Sequence, residues 1–176
     1  MTSVWNEPLL GAVGRWGLML LTVFVLFILS AFPFEIAHLG EVRPFFMLMA
    51  VYYWTILRPS LLPPPATFVI GIILDLLFNW PFGMNAVVLV TAQALTLRQR
   101  KFLLGQLFLV IWAGFALMAL MAGAAQWMLF ALFNMTLISV KPMLVSSVLS
   151  ALLFPLMVLP LMMLHKALAA RPSAAP

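Results

Sequence analysis

FLLGQLFLVIWAGFALMALMAGAAQWMLFALFNMTLISV, residues Phe102–Val140, contains no charged side chain. A run of roughly 18 or more predominantly apolar residues is long enough to cross a bilayer as a helix, and this one is longer. A second charge-free run, Trp16–Phe34, lies earlier in the chain. The composition follows the same pattern: of 176 residues, 66% are hydrophobic and only 7% charged, with a mean hydropathy of +1.19. Ordinary globular chains are about 25% charged. So few charges cannot cover the surface of a soluble domain of this size. The chain reads as an all-α, polytopic transmembrane helix bundle with no room for a soluble catalytic domain.

Six helices are expected, over about Trp16–Pro33, Pro44–Leu57, Pro65–Asn79, Gly83–Leu97, Phe102–Phe133 and Pro142–Leu168. Residues 1–15 read as a cytoplasmic N-terminal tail, 16–168 as the membrane domain and 169–176 as a disordered cytoplasmic tail. The first apolar run exceeds the roughly 7–15 residue core of a signal peptide and no A-x-A site follows it, so it reads as a retained helix. The second helix is short for a span and is expected to begin inside the membrane or to tilt little. The fifth is long. At 1.5 Å per residue about 32 residues reach roughly 48 Å, against a hydrocarbon core of about 30 Å. It must tilt strongly and protrude, or break near Gly123-Ala124-Ala125. Pro155 and Pro160 predict a kink or local unwinding in the sixth helix. Pro63-Pro64-Pro65 predicts a stiff turn in which Pro65 suits a helix start.

The net charge of +5 does not point to nucleic acid, because the basic residues stand between apolar runs and there fix topology. With the N-terminus inside, Arg15, Arg58, Arg98, Arg100, Lys101, Lys166 and Arg171 fall on the inner side. Arg43 and Lys141 fall outside, completing the nine Lys/Arg. Positive charge then concentrates inside and both termini are cytoplasmic. The cluster Arg98-Gln99-Arg100-Lys101 is the strongest topology anchor. There is no cysteine, which excludes disulfides, thiolate metal sites and a Cys nucleophile. No Gly-rich phosphate loop, Ser-His-Asp pattern or HExxH occurs. His38 and His165 lie too far apart for a metal site by themselves, and the methionines lack a repeated spacing. No catalytic, cofactor or metal site is expected.

Asp75 is the exceptional residue, a carboxyl inside Phe68-Val69-Ile70-Gly71-Ile72-Ile73-Leu74-Asp75-Leu76-Leu77-Phe78. An acid at the centre of a spanning helix costs about 2.5–3.5 kcal/mol on insertion scales, so it must face protein or water. Gly71, Asp75 and Asn79 recur every four residues and are expected on one helix face. There Gly71 admits a close neighbour, while Asp75 and Asn79 offer hydrogen bonds. An interhelical clamp, or a carboxyl near the outer interface, is the favoured role, and a proton or substrate site is the competing one. Arg43-Pro44 opens the second helix, with Glu35 and Glu41 as candidate loop partners for Arg43. Tyr52-Tyr53-Trp54 followed by Arg58-Pro59 is the usual pattern of an interfacial anchor. Trp80-Pro81-Phe82-Gly83 is a tight turn in which Gly83 supplies the backbone conformation, and Asn85 starts the next helix. Ala119 with Gly123, and Ser146 with Ser150, are small residues at helical spacing that fit close helix packing.

These motifs, in this order, resemble the family of the rod shape-determining protein MreD. The family pattern is an R-P opening, an apolar stretch ending Y-W, a nearby Pro, then F-x-x-G-x-x-x-D and an L-G turn. Arg43-Pro44, Tyr53-Trp54, Arg58-Pro59 and Phe68 through Asp75 match it, and Phe82-Gly83 replaces the Leu of the last turn. The specific part spans about Arg43–Asn85, and Lys141-Pro142 with Pro155 look like the family's last helix. The resemblance implies a non-enzymatic inner-membrane scaffold of the elongation machinery. Such a protein would bind the bitopic MreC, in one complex with MreB, a RodA-type glycosyltransferase and a class B penicillin-binding transpeptidase. Ala119, Gly123, Ser146 and Ser150 are then candidates for the face on which the MreC helix packs. The family is also similar in fold to the S-components of energy-coupling-factor transporters. That implies the alternative of a vitamin-uptake subunit, with Asp75, Asn79, Asn85, Tyr52 and Gln93 as cavity candidates. A membrane enzyme acting on lipids would need two converging polar groups, and only Asp75 is clearly within the membrane.

Overall fold

The second helix, α2 (Phe46–Leu57), carries no polar face, and a helix that is apolar all round belongs in an interior. In the computed structural model every residue from Phe46 to Ile56 is buried. Residues 6–31, 34–36, 40–135 and 139–169 are described. Around α2 are α1 (Asn6–Ala31), α4 (Met84–Leu103), α5 (Phe108–Asn134) and α6 (Lys141–Ala169). Helix α3 (Pro64–Leu77) packs on α4. Between α1 and α2 two short strands, β1 (Phe34–Ile36) and β2 (Gly40–Val42), pair antiparallel with Glu35 opposite Glu41.

The central position of α2 corrects one expectation. Tyr52, Tyr53 and Trp54 are 2%, 2% and 0% exposed, so they are packing residues and not interfacial anchors. Tyr52 meets Phe115 and Phe154 edge-on, and its hydroxyl donates to the Ile111 carbonyl at 3.1 Å.

Helix limits also differ from those expected. Helix α1 begins at Asn6, so residues 6–15, expected as part of the N-terminal tail, are helical. Glu7 and Pro8 in its first turn are ordinary start signals. Residues 1–5 and 170–176, which hold the rest of the expected tails, lie outside the described residues, as does His38. Helix α4 runs on to Leu103, which puts Arg98, Arg100 and Lys101 on the helix and not in a loop. Helix α5 is continuous through Gly123-Ala124-Ala125; the long run is divided instead near Gly105, left-handed at φ +91°, between the end of α4 at Leu103 and the start of α5 at Phe108, so the fifth helix does not begin at Phe102 as expected. Its 27 residues extend about 40 Å at 1.5 Å each.

Helix α6 is likewise helical through Pro155 and Pro160, without local unwinding. Pro155 has no N–H and therefore leaves the carbonyl four residues back without its helical donor. That carbonyl belongs to Ala151, and the Trp112 indole N–H of α5 donates to it at 2.7 Å. The partner helix fills the gap that proline opens.

The outside of the bundle is apolar. Leu20 and Phe24 of α1, Val69 and Leu76 of α3, Leu117 and Leu132 of α5, and Leu152 and Leu156 of α6 are all exposed. Helix α5 and the stretch Lys141–Leu159 of α6 are long and apolar enough to cross a bilayer. An apolar surface this extensive is made for lipid.

Helices α3 and α4 approach closely at Gly71, where an added Cβ would collide with the Ala86 backbone. Gly17 on α1 has nothing within 4 Å of that position. Gly71→Ala is expected to destabilise the purified protein by about 1–3 kcal/mol through overpacking. Gly17→Ala should be neutral or gain about 0.5–1 kcal/mol from helix propensity. Thermal unfolding in detergent measures both, and equal behaviour of the two variants contradicts the packing.

Candidate functional site

Asp75 sits in the last turn of α3 and is 0% exposed. The helix stops two residues later because Asn79 turns left-handed, at φ +52°, a conformation asparagine tolerates better than most residues. The Trp80 N–H then closes back on the Asp75 carbonyl at 3.0 Å, and the Asn79 N–H on the Leu76 carbonyl at 3.5 Å, the Schellman arrangement. Asn79 is therefore exposed beyond the helix end and does not share a helix face with Gly71 and Asp75, contrary to the sequence expectation.

That tight ending brings the chain back so that α4 starts against the Asp75 side chain. Gly83, at φ +88°, is the N-cap and makes no side-chain cap of its own. The carboxyl of Asp75 does this work from the preceding helix. Oδ2 accepts from the Gly83 N–H at 2.9 Å, and Oδ1 accepts from the Asn85 N–H at 2.9 Å and from Asn85 Nδ2 at 2.8 Å. The first N–H groups of a helix have no internal partner, and the positive end of its dipole favours an acidic group there. Asn85 in turn accepts from Gln126 Nε2 of α5 at 2.7 Å. One clasp thus joins α3, α4 and α5. Sequence reasoning missed Gln126, although an isolated amide in an otherwise apolar helix is the signal for such a bridge.

The other motif residues separate into two groups. Arg43 lies at the clasp end, with its guanidinium 4.4 Å from the centre of the Phe78 ring. The side chains of Glu35 and Glu41, its expected partners, lie outside the described residues. Pro44 is buried, and its carbonyl accepts from the Phe46 N–H at 2.9 Å at the start of α2. Tyr53, Trp54, Arg58 and Pro59 belong to the opposite end of α2, where Arg58 is exposed and Pro59 half-buried. There Arg100 reaches from α4 and donates through Nε to the Ile56 carbonyl at 2.8 Å, a cation at a helix C-terminus. Arg100 therefore caps α2, while Arg98 and Lys101 remain exposed. Gln93 donates to the Leu62 carbonyl at 2.7 Å, far along α4 from Asn85. The cavity candidates Asp75, Asn79, Asn85, Tyr52 and Gln93 accordingly do not converge on one site.

The small residues of α5 and α6 face each other and α2. Ala119, Gly123, Ser146 and Ser150 are all buried. The Ser147 hydroxyl donates to the Ala119 carbonyl at 3.2 Å, and Ser150 Oγ accepts from the Phe45 N–H at 2.7 Å. A Cβ on Gly123 would lie 2.6 Å from Ser147 Oγ. The face expected to receive a partner helix is thus filled by the chain's own helices, because small residues let α5 and α6 close on one another first.

A family model described as rod shape-determining protein MreD matches residues 11–164. No curated protein and no solved structure matches the chain.

Asparagine offers one acceptor where Asp75 uses two, and its amide would set N–H against N–H at Gly83 or Asn85. Asp75→Asn is therefore expected to lose at least one of the three bonds. The variant should lose about 1–3 kcal/mol, read as a lower unfolding temperature and a lower steady-state level in membranes. Unchanged stability with lost cell shape would instead assign the carboxylate a charge-dependent function.

Proposed function

The chain belongs to the MreD family of rod shape-determining proteins, and on that premise we propose that it is a non-enzymatic inner-membrane scaffold of the bacterial elongation machinery. It binds MreC and helps couple MreB filaments to peptidoglycan synthesis by a RodA-type glycosyltransferase and a class B penicillin-binding transpeptidase. It crosses the membrane with all six helices and keeps both termini cytoplasmic, with the Arg98–Lys101 end inside and the Asp75 end outside. The family match over residues 11–164 carries this proposal.

The geometry supports a structural role. Several polar groups within the helices bond to backbone or to one another: Asp75 to the start of α4, Gln126 to Asn85, Ser150 to the start of α2. Since the α5–α6 small-residue face is closed, the MreC helix meets a lipid-facing surface of the bundle. The alternative of a transporter S-component, with the fold likeness it implies, needs a polar cavity built from residues that here lie apart.

A tagged pull-down in mild detergent from rod-shaped cells, with depletion in parallel, tests this function. Recovery of MreC and rounding of the depleted cells are expected. Recovery of an ABC-type ATPase pair, with rods preserved and a nutrient uptake lost, would replace the scaffold with the transporter subunit.

A further inference from the structure

Beside the clasp, between the start of α2 and the ends of α3, α5 and α6, lies a cavity of about 320 Å³. Small-molecule sites begin at roughly 300 Å³ and combine apolar and aromatic walls with a few converging polar groups. This cavity has that character. Phe78, Trp80 and Phe130 form aromatic wall, and Arg43, Gln126, Ser139 and Ser146 supply the polar groups. Two of these are held in place. The Arg43 guanidinium lies over the Phe78 ring, and the Gln126 amide is fixed by its bond to Asn85.

The charge at this place is unusual for its side of the membrane. Arg43 and Lys141 are the two basic residues that the proposed topology puts outside, against the general bias. Arg43 lines the cavity. Lys141 is exposed next to the lining residue Pro142, and its backbone N–H donates to Ser139 Oγ at 3.4 Å. The surroundings are lipid-facing: Phe82, Phe133, Val140 and Leu144 are exposed apolar residues beside the lining positions. A molecule entering from the bilayer plane thus meets aromatic surface, hydroxyls and the Arg43 guanidinium, with Lys141 exposed next in sequence to the lining.

We infer that this cavity binds the phosphate-bearing head of an anionic membrane lipid. A guanidinium fork matches phosphate geometry, and charge-assisted bonds of this kind are about twice as strong as neutral ones. The aromatic wall accommodates the glycerol and the first methylenes below it. A zwitterionic lipid brings its own cation against Arg43 and Lys141 and is disfavoured. The inference rests on the membrane placement of α5 and α6, and not on the scaffold role or on any partner.

The purified full chain in detergent is titrated with phosphatidylglycerol, phosphatidylcholine or inorganic phosphate and read by native mass spectrometry. One phosphatidylglycerol should be retained, with at least about tenfold preference over phosphatidylcholine, equivalent to 1.4 kcal/mol. Arg43→Gln, and the exposed-site variants Lys141→Gln and Ser139→Trp, should each weaken retention, the last by closing the mouth. Thermal unfolding checks that the two exposed-site variants remain folded. Equal retention of both lipids, or retention unchanged in all three variants, overturns the inference. Displacement of phosphatidylglycerol by inorganic phosphate overturns the lipid assignment in favour of a soluble-anion site.

Discussion

Asp75 accepts three hydrogen bonds from the start of the next helix, and the arrangement of the bundle at that end depends on it. The Gly83 and Asn85 N–H groups would otherwise stand open at a helix end surrounded by apolar side chains. Where water is scarce, each unsatisfied backbone group costs several kcal/mol. The acid and the helix start answer each other's cost. Asn85 extends the same network to Gln126, so α5 is held in register with the α3–α4 pair. The closeness of Gly71 to Ala86 one turn away is the steric counterpart of this polar contact.

The same solution recurs at three other places where the helical hydrogen-bond pattern lapses. At the end of α2 the Ile56 carbonyl is met by Arg100 of α4. Ahead of α2 the Phe45 N–H is met by Ser150 of α6. At Pro155 the orphaned Ala151 carbonyl is met by Trp112 of α5. In each case a side chain from a neighbouring helix completes the backbone, so satisfying a helix also fixes its neighbour. Individual bonds of this kind within membranes average only about 0.6 kcal/mol, but their placement specifies which helices touch and in what register. An interlocked bundle with an apolar exterior suits the scaffold role proposed above.

The membrane character and the six-helix order were legible because both rest on long apolar runs and their charge breaks. Gly71, Asp75, Gly83 and Asn85 were legible as a local motif, since a carboxyl in an apolar helix must be answered. What the sequence concealed was which neighbour answers. Tyr53-Trp54-Arg58 has the composition of an interfacial anchor, yet the absence of any polar face on α2 outweighs that pattern and sends the aromatics inside. Ala119, Gly123, Ser146 and Ser150 carry a packing signal that does not say whether the partner is the same chain or another one. Asn79 falls at the right spacing for a shared face, but its left-handed backbone ends the helix first. The ribbon Phe34–Ile36 with Gly40–Val42 is too short to produce a readable alternation.

A double-mutant cycle on Asp75→Ala and Asn85→Ala, measured as unfolding free energy in detergent, tests the structural role of the carboxyl most directly. Residues in one hydrogen-bond network couple by about 0.5–3 kcal/mol, whereas independent sites add to within roughly 0.3–0.5 kcal/mol. A coupling within the first range is predicted, with rod shape rescued in cells to the extent that folded protein is restored. Additive effects, or a fully stable Asp75→Ala protein that fails to support rod shape, would contradict it and make Asp75 a functional group in its own right.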